Sequence, residues 1–232
     1  MVASFSELSP AFILHYRKYR DTSLIFDLFT QNFGRLSAVA RGALGAKPRF
    51  KGVLQPFVPL LVSYYGGGEL KSVKNVDFYA LPIHLSGDNL LIGLYINELL
   101  IRLLGTYDPL EDVYKHYAVL VSQLEKSDDV EPLLRRFEIM LLSELGYGIS
   151  FGSEVTTGRE IVPEENYTFE AERGFVAASE SQGFKGSHIL SIDAGDFTQE
   201  EVRIVAKQVV RRALQPLLGN KPLNSRILFT RK

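Results

Sequence analysis

Val58 to Val76 reads VPLLVSYYGGGELKSVKNV, and the fold turns on this stretch. Val58 to Tyr65 and Leu70 to Val76 are short, β-branched and aromatic, the composition of strands, and Gly66-Gly67-Gly68 between them supplies the backbone freedom of a tight turn. The pair therefore reads as a β-hairpin. Upstream, Phe12 to His15, Leu24 to Phe29 and Arg35 to Ala40 have the same character, with Asn32 to Gly34 as a turn between the last two. Five strands packed into so short a segment predict a small closed barrel. Arg41 to Gly52 (RGALGAKPRFKG) is too rich in glycine and basic residues to be a buried strand, and is expected to form a mobile, positive loop.

Downstream of Pro82 the period changes. Leu90, Leu91, Leu94, Tyr95, Ile96, Leu99, Leu100, Leu103 and Leu104 are apolar nearly all round a helix, which predicts burial at the centre of a helical domain. Ser86 or Asp88 is its expected cap and Gly105 its end. Helices are also expected over Leu110 to Leu124 and over Pro132 to Leu145, where Gly146 is a stop signal. Residues 147–187 lose the periodicity and gather Gly, Ser, Thr and acids, as a loop-rich insertion or small sheet does. Thr198-Gln199-Glu200-Glu201 has the spacing of a capping box. A last helix should run from there toward Gly219, with Val202, Val205, Val209, Ala213 and Leu217 as its apolar stripe. The class is α+β: a barrel over residues 1–80, then an all-α helical domain over 81–232 with the irregular insertion at 147–187.

Charge is sorted by position. Residues 1–80 carry ten Lys/Arg against five Asp/Glu, residues 81–202 eight against twenty-two, and residues 203–232 eight against none. The formal total of −1 therefore hides segments of +5, −14 and +8. Basic ends around an acidic middle suit a polyanion ligand, with nucleic acid the first candidate. No apolar run approaches the ~20 residues of a bilayer span, and Met1 to Pro10 lacks the basic start and apolar stretch of a signal peptide, so the expected location is the cytoplasm, associated with the nucleoid. With no Cys in the chain, disulfides, thiolate catalysis and Cys-based zinc sites are excluded.

The usual catalytic constellations are missing. His15, His84, His116 and His188 stand far apart, without metal-ligand neighbours at helix or strand spacing. Gly42 to Lys47 lacks the Gly-Lys-Ser/Thr ending of a phosphate loop, and Ser153-Glu154 has no paired base. Glu98 and Arg102, four apart in an apolar helix, read as a structural pair. The expectation is a protein that is not an enzyme and carries no cofactor.

The basic residues are numerous and interleaved with aromatics, as a binder of single strands requires: phosphates meet cations while bases stack on rings. The candidates in the barrel are Arg17, Lys18, Arg20, Arg35, Arg41, Lys47, Arg49, Lys51, Lys71 and Lys74. On the last helix Lys207 and Arg211 share a row with Arg203, and Arg212 stands beside it. Arg135-Arg136 interrupts an apolar helix within the acidic segment, and cations beside an apolar groove are suited to an acidic, hydrophobic peptide.

Several strings together resemble one family. Phe12-Ile-Leu-His15, Leu28-Phe-Thr30 before Gly34-Arg35, Arg41-Gly-Ala43, Leu54-Gln-Pro-Phe57, Gly93-Leu-Tyr-Ile-Asn-Glu-Leu-Leu100, Arg135-Arg-Phe-Glu138 with Leu145-Gly-Tyr-Gly148, and Lys221-Pro-Leu-Asn-Ser-Arg226 stand in the order and spacing of the bacterial RecO family, from about Ala11 to Phe229. The resemblance implies that the barrel is an OB-fold and that the helical domain follows it. It also implies binding of single- and double-stranded DNA, annealing of complementary strands, and loading of RecA onto DNA coated with single-stranded-DNA-binding protein. The implied partners are the acidic carboxy-terminal tail of that coating protein, received at Arg135 and Arg203 with Arg136 as neighbour, and RecR. Many members carry a four-Cys zinc module after the Gly-Tyr-Gly string; this chain has Gly152-Ser153-Glu154 there, and zinc is not carried over. The competing expectation is an RNA-binding OB module joined to a helical protein-interaction domain.

Overall fold

The structure is a computed structural model that describes residues 8–48, 50, 52–179 and 182–225. Compactness divides the chain into two units, residues 1–127 with 222–232, and residues 128–221.

In the first unit, β1 (Ser9–Tyr19), β2 (Ser23–Thr30), β3 (Gly34–Ala40), β4 (Leu60–Tyr65) and β5 (Leu70–Phe78) close a barrel in the order β1-β2-β3-β5-β4. All neighbours are antiparallel except β3 and β5, which run parallel from Ser37 opposite Leu70 to Val39 opposite Ser72. This is the five-stranded OB-type barrel. Alternation along the strands fills it with Ile13, Phe26, Leu28, Leu36, Ala38, Leu60, Val62 and Tyr64. Residues of the basic loop join that core, since Ala43, Phe50 and Val53 pack against it and the Leu44 N–H donates to the Thr22 carbonyl at 2.9 Å. The expected mobile loop is anchored because its few apolar side chains have barrel surface to bury.

Helices α1 (Gly87–Leu103) and α2 (Glu111–Leu124) belong to this same unit. The apolar girth of α1 is explained by its seat on the barrel: Asn97 donates to the Leu14 carbonyl at 2.9 Å and accepts from the Tyr117 hydroxyl at 2.7 Å, both buried. Tyr117 also meets Phe12 edge-on at 5.1 Å, and Tyr114 meets Phe29 at 5.4 Å. A Cβ at Gly93 would stand 2.9 Å from the Phe57 ring, so only glycine allows this approach. Glu98 and Arg102 tie down the chain's return: Glu98 accepts the N–H groups of Asn224 and Ser225 and the Ser225 hydroxyl at 2.7–2.8 Å, and Arg102 donates to the Pro222 carbonyl.

The second unit contains α3 (Glu131–Glu144), β6 (Asn166–Glu170), β7 (Gly174–Ala178), β8 (Phe184–Lys185), α4 (Gly186–Asp193) and α5 (Glu200–Leu218). The 147–187 segment contains a three-stranded sheet, β7-β6-β8, whose Tyr167, Phe169, Phe175 and Phe184 form a core with Ile189, Val202, Val205 and Val209. Ahead of it, residues 152–161 fold into a hydrogen-bonded turn: Ile161 N–H donates to Gly152 O, Glu154 N–H to Arg159 O, and Thr157 N–H to the Glu154 carboxylate. Hydrogen bonds close this turn in a chain that has no cysteine.

Two local expectations are corrected. The capping box does not form, because Thr198 spends its N–H and hydroxyl on Asp196 Oδ1 at 2.9 and 2.7 Å, and α5 starts from Gln199 without a side-chain cap. The buried stripe of α5 is Val202, Val205, Ala206, Val209, Val210 and Leu214, rotated away from Leu217 at its end.

Candidate nucleic-acid interface

Strand pleating decides which cations share a surface. Leu24, Phe26 and Leu28 face the barrel interior, so Ile25 and Asp27 face outward, and pairing carries that parity across the sheet. Arg17 lies opposite Ile25, Ile25 opposite Val39 and Val39 opposite Ser72; the next row runs His15, Asp27, Ser37 and Leu70. A cleft opens at this face between the β1–β2 turn and the start of β5, lined by Tyr19, Arg20, Ser23, Arg41, Leu70 and Ser72 among others. Arg17, Lys18, Arg20, Arg41 and Lys47 are exposed. Arg20 holds a positive φ of 52° at the turn and lays its guanidinium 5.2 Å over the Tyr19 ring. The Leu44–Thr22 hydrogen bond brings the loop bearing Lys47 to the same turn.

Other candidates are placed differently. Arg35 is largely enclosed, its Nε donating to Leu104 O at 3.1 Å and its Nη1 3.9 Å from Asp27, so it fastens the α1–α2 turn to β3. Lys71 donates to Gly66 O at 2.9 Å and lies 5.1 Å from the Tyr107 ring. Lys74 is exposed near the β4–β5 register shift, outside the cleft lining. Arg49 and Lys51 lie outside the described residues. In the second unit Lys207, Arg211 and Arg212 are exposed, and Arg212 also holds its guanidinium 5.3 Å from the Phe184 ring and donates to Phe169 O.

Two tyrosines have raised phenols, Tyr64 inside the barrel and Tyr107 at the α1–α2 turn. Burial, and secondarily Tyr107, pushes Tyr64 up to about 12; burial and then the Glu69 charge raise Tyr107 above the ordinary phenol value. Both are neutral phenols at neutral pH. Sequence reasoning missed Tyr107, whose only local signal is the turn-forming Gly105-Thr-Tyr-Asp-Pro109.

The arginines expected to receive a peptide divide. Arg135, expected to receive the peptide with Arg203, is buried, 6% exposed, with Nη1 2.6 Å from Glu138. The i, i+3 spacing lets the pair neutralise itself on the face α3 buries with Leu134, Phe137 and Leu141. Arg136 is the exposed neighbour, donating to Gly195 O at 2.8 Å with its guanidinium 5.6 Å from the Phe197 ring. Arg203 donates through Nε to Phe197 O at 2.6 Å and through both terminal nitrogens to Asp129. Arg136 and Arg203 thus grip the same α4–α5 connection.

The family descriptions "Recombination protein O N terminal" and "Recombination protein O C terminal" match residues 6–81 and 84–227. Proteins named DNA repair protein RecO are similar over nearly their whole length. That of Cellvibrio japonicus (strain Ueda107) is 42% identical over 228 residues, 97% of each chain, and that of Aliivibrio fischeri (strain MJ11) is 39% identical over 225 residues, 96% of this chain and 94% of the relative. That of Haemophilus influenzae (strain ATCC 51907 / DSM 11121 / KW20 / Rd) is 40% identical over 227 residues, 97% of this chain and 96% of the relative.

Proposed function

The chain belongs to the RecO family, and on that footing we propose that it works in DNA repair as a non-catalytic mediator that binds single- and double-stranded DNA and anneals complementary strands. The observation that carries this reading is the outer barrel face, where Arg20 lies over the Tyr19 ring, both line an open cleft together with Arg41, and Arg17 stands exposed in the same outward register. Distributed cations attract the phosphate backbone irrespective of sequence, and rings beside them accept unpaired bases. Lys47 extends the surface, while Lys18, exposed but paired with the inward-facing Leu24, lies off the Arg17 row; Lys207 and Arg211 supply a second surface on α5. The test is competition binding with matched single-stranded DNA and RNA, together with annealing of complementary oligonucleotides. Preference for DNA and accelerated annealing are expected; equal or stronger RNA binding without annealing favours the RNA-module alternative, which the repair-protein relatives do not favour.

The same reading extends to partners. Arg203 and Arg136 receive the acidic tail of single-stranded-DNA-binding protein, and, with RecR, the protein helps load RecA onto coated DNA. What supports the tail site is that Arg203 already grips an exposed carboxylate with both arms of its guanidinium, the geometry a peptide carboxylate would use. Annealing of DNA precoated with the cognate protein, with and without its tail, tests the partnership: loss of stimulation on deleting the tail is expected, and indifference to the tail counts against it. The protein then works in the cytoplasm, at the nucleoid.

A further inference from the structure

Tyr107 occupies the α1–α2 turn in a conformation a bulky residue rarely adopts, with φ at 58°. The turn is clamped. Tyr107 N–H donates to Arg35 O at 2.8 Å, and Gly34 leaves room for the Asp108 carbonyl, which would stand 2.0 Å from any Cβ there. The side chain is held at its far end as well, its hydroxyl donating to Glu69 O of the β4–β5 hairpin at 2.7 Å. Yet the ring is not core packing: the residue is 39% exposed, and the Lys71 ammonium lies 5.1 Å from the ring centroid. Leu70, between Glu69 and Lys71, is 41% exposed and lines the cleft at the barrel face.

A ring fixed at both ends, open to solvent, paired with a cation and adjoining that cleft has the attributes of a stacking platform. We propose that Tyr107 and Lys71 form a subsite for one unpaired base and its phosphate, at the β5 end of the DNA face. The inference rests on the DNA-binding reading and deepens it. A base in a duplex has both faces already stacked, so this subsite selects single strands, while the cations around Arg20 and Arg41 serve both forms of DNA.

The chain contains no Trp, so Tyr107→Trp installs a lone indole reporter. Its emission is quenched on titration with a thymidine oligonucleotide and unchanged on binding a blunt duplex. Tyr107→Ala loses roughly five- to a hundredfold in affinity for the oligonucleotide, with duplex affinity at the wild-type value. Tyr107→Phe gives up the Glu69 hydrogen bond, keeps the ring and retains wild-type affinity for both. An indole that stays silent while the oligonucleotide binds overturns the subsite, as does a Phe variant as impaired as the Ala variant. If the wild-type chain binds no single strand at all, the DNA-binding reading falls and the subsite falls with it.

Discussion

Arg203 and Asp129 form a two-armed ion pair, Nη1 to Oδ1 at 3.0 Å and Nη2 to Oδ2 at 2.8 Å, although α5 and the start of α3 are far apart in sequence. The Asp129 side chain is 57% exposed, so the pair adds only about 0–1 kcal/mol to stability and yields readily to a competing carboxylate. Asp129→Ala is therefore expected to bind the coating protein's tail peptide more tightly than wild type, by removing the internal competitor. Arg203→Glu should weaken it by about tenfold to a hundredfold, the worth of one charge-assisted hydrogen bond. Calorimetric titration of the peptide measures both. Annealing of naked DNA should survive in each variant; if Arg203→Glu loses it equally, Arg203 belongs to the DNA surface.

On the barrel, replacing Arg17, Arg20, Arg41 and Lys47 together with Glu should weaken binding to unrelated DNA sequences alike. It should also flatten the salt dependence, by about 0.7 in logarithmic slope for each phosphate of a single strand that is no longer neutralised. Arg35 is kept out of this set because its Nε holds Leu104 O, and changing it would mix folding with binding. Affinity measured across a salt series decides: an unchanged value in a folded quadruple variant locates the DNA elsewhere.

Arg135 and Glu138 are buried at 6% and 0% exposure. Removing either partner alone strands a charge in the core of the second unit, and Arg135→Ala or Glu138→Ala should cost about 3–5 kcal/mol. The double variant Arg135→Met with Glu138→Leu should regain most of that loss, because the desolvation penalty disappears with the charges. Denaturant unfolding of the three variants gives the comparison, and a mild effect of both single changes would show the pair to be accessible to water.

Glu98 supplies a pH dependence. Burial favours its neutral form, but the Ser225 N–H and hydroxyl, the Asn224 N–H and the nearby Arg102 charge outweigh it and hold the carboxyl below its ordinary value. A depressed folded-state value means that the stabilisation is complete above the unfolded-state range and is lost as pH falls through the folded value. Melting temperature followed from neutral to acidic pH should therefore drop less steeply for Glu98→Gln than for wild type, starting from a lower plateau. Parallel curves would remove Glu98 from the acid transition.

Much of the architecture was legible in local pattern. Alternation and turn chemistry around Gly66-Gly67-Gly68 located β4 and β5, and the helical periodicity after Pro82 located α1, α2, α3 and α5 to within a few residues, because short-range sterics and binary patterning act over neighbouring positions. The short α4 was missed within a segment whose periodicity is weak, and at Thr198 a local competitor, Asp196, took the hydroxyl the capping box needed.

A barrel followed by helices and the polarity of each segment follow from local pattern and composition, and sequence strings carry the resemblance to the RecO family. Which cations remain available is set by long-range packing. Arg135 and Arg136 are adjacent, yet one is sealed against Glu138 and the other is exposed, because the face a helix buries depends on what packs against it. Arg35 became a clamp and Tyr107 an exposed platform by meeting across 72 positions of chain, a pairing that no local pattern encodes, since closing such a loop depends on the summed burial of the whole fold.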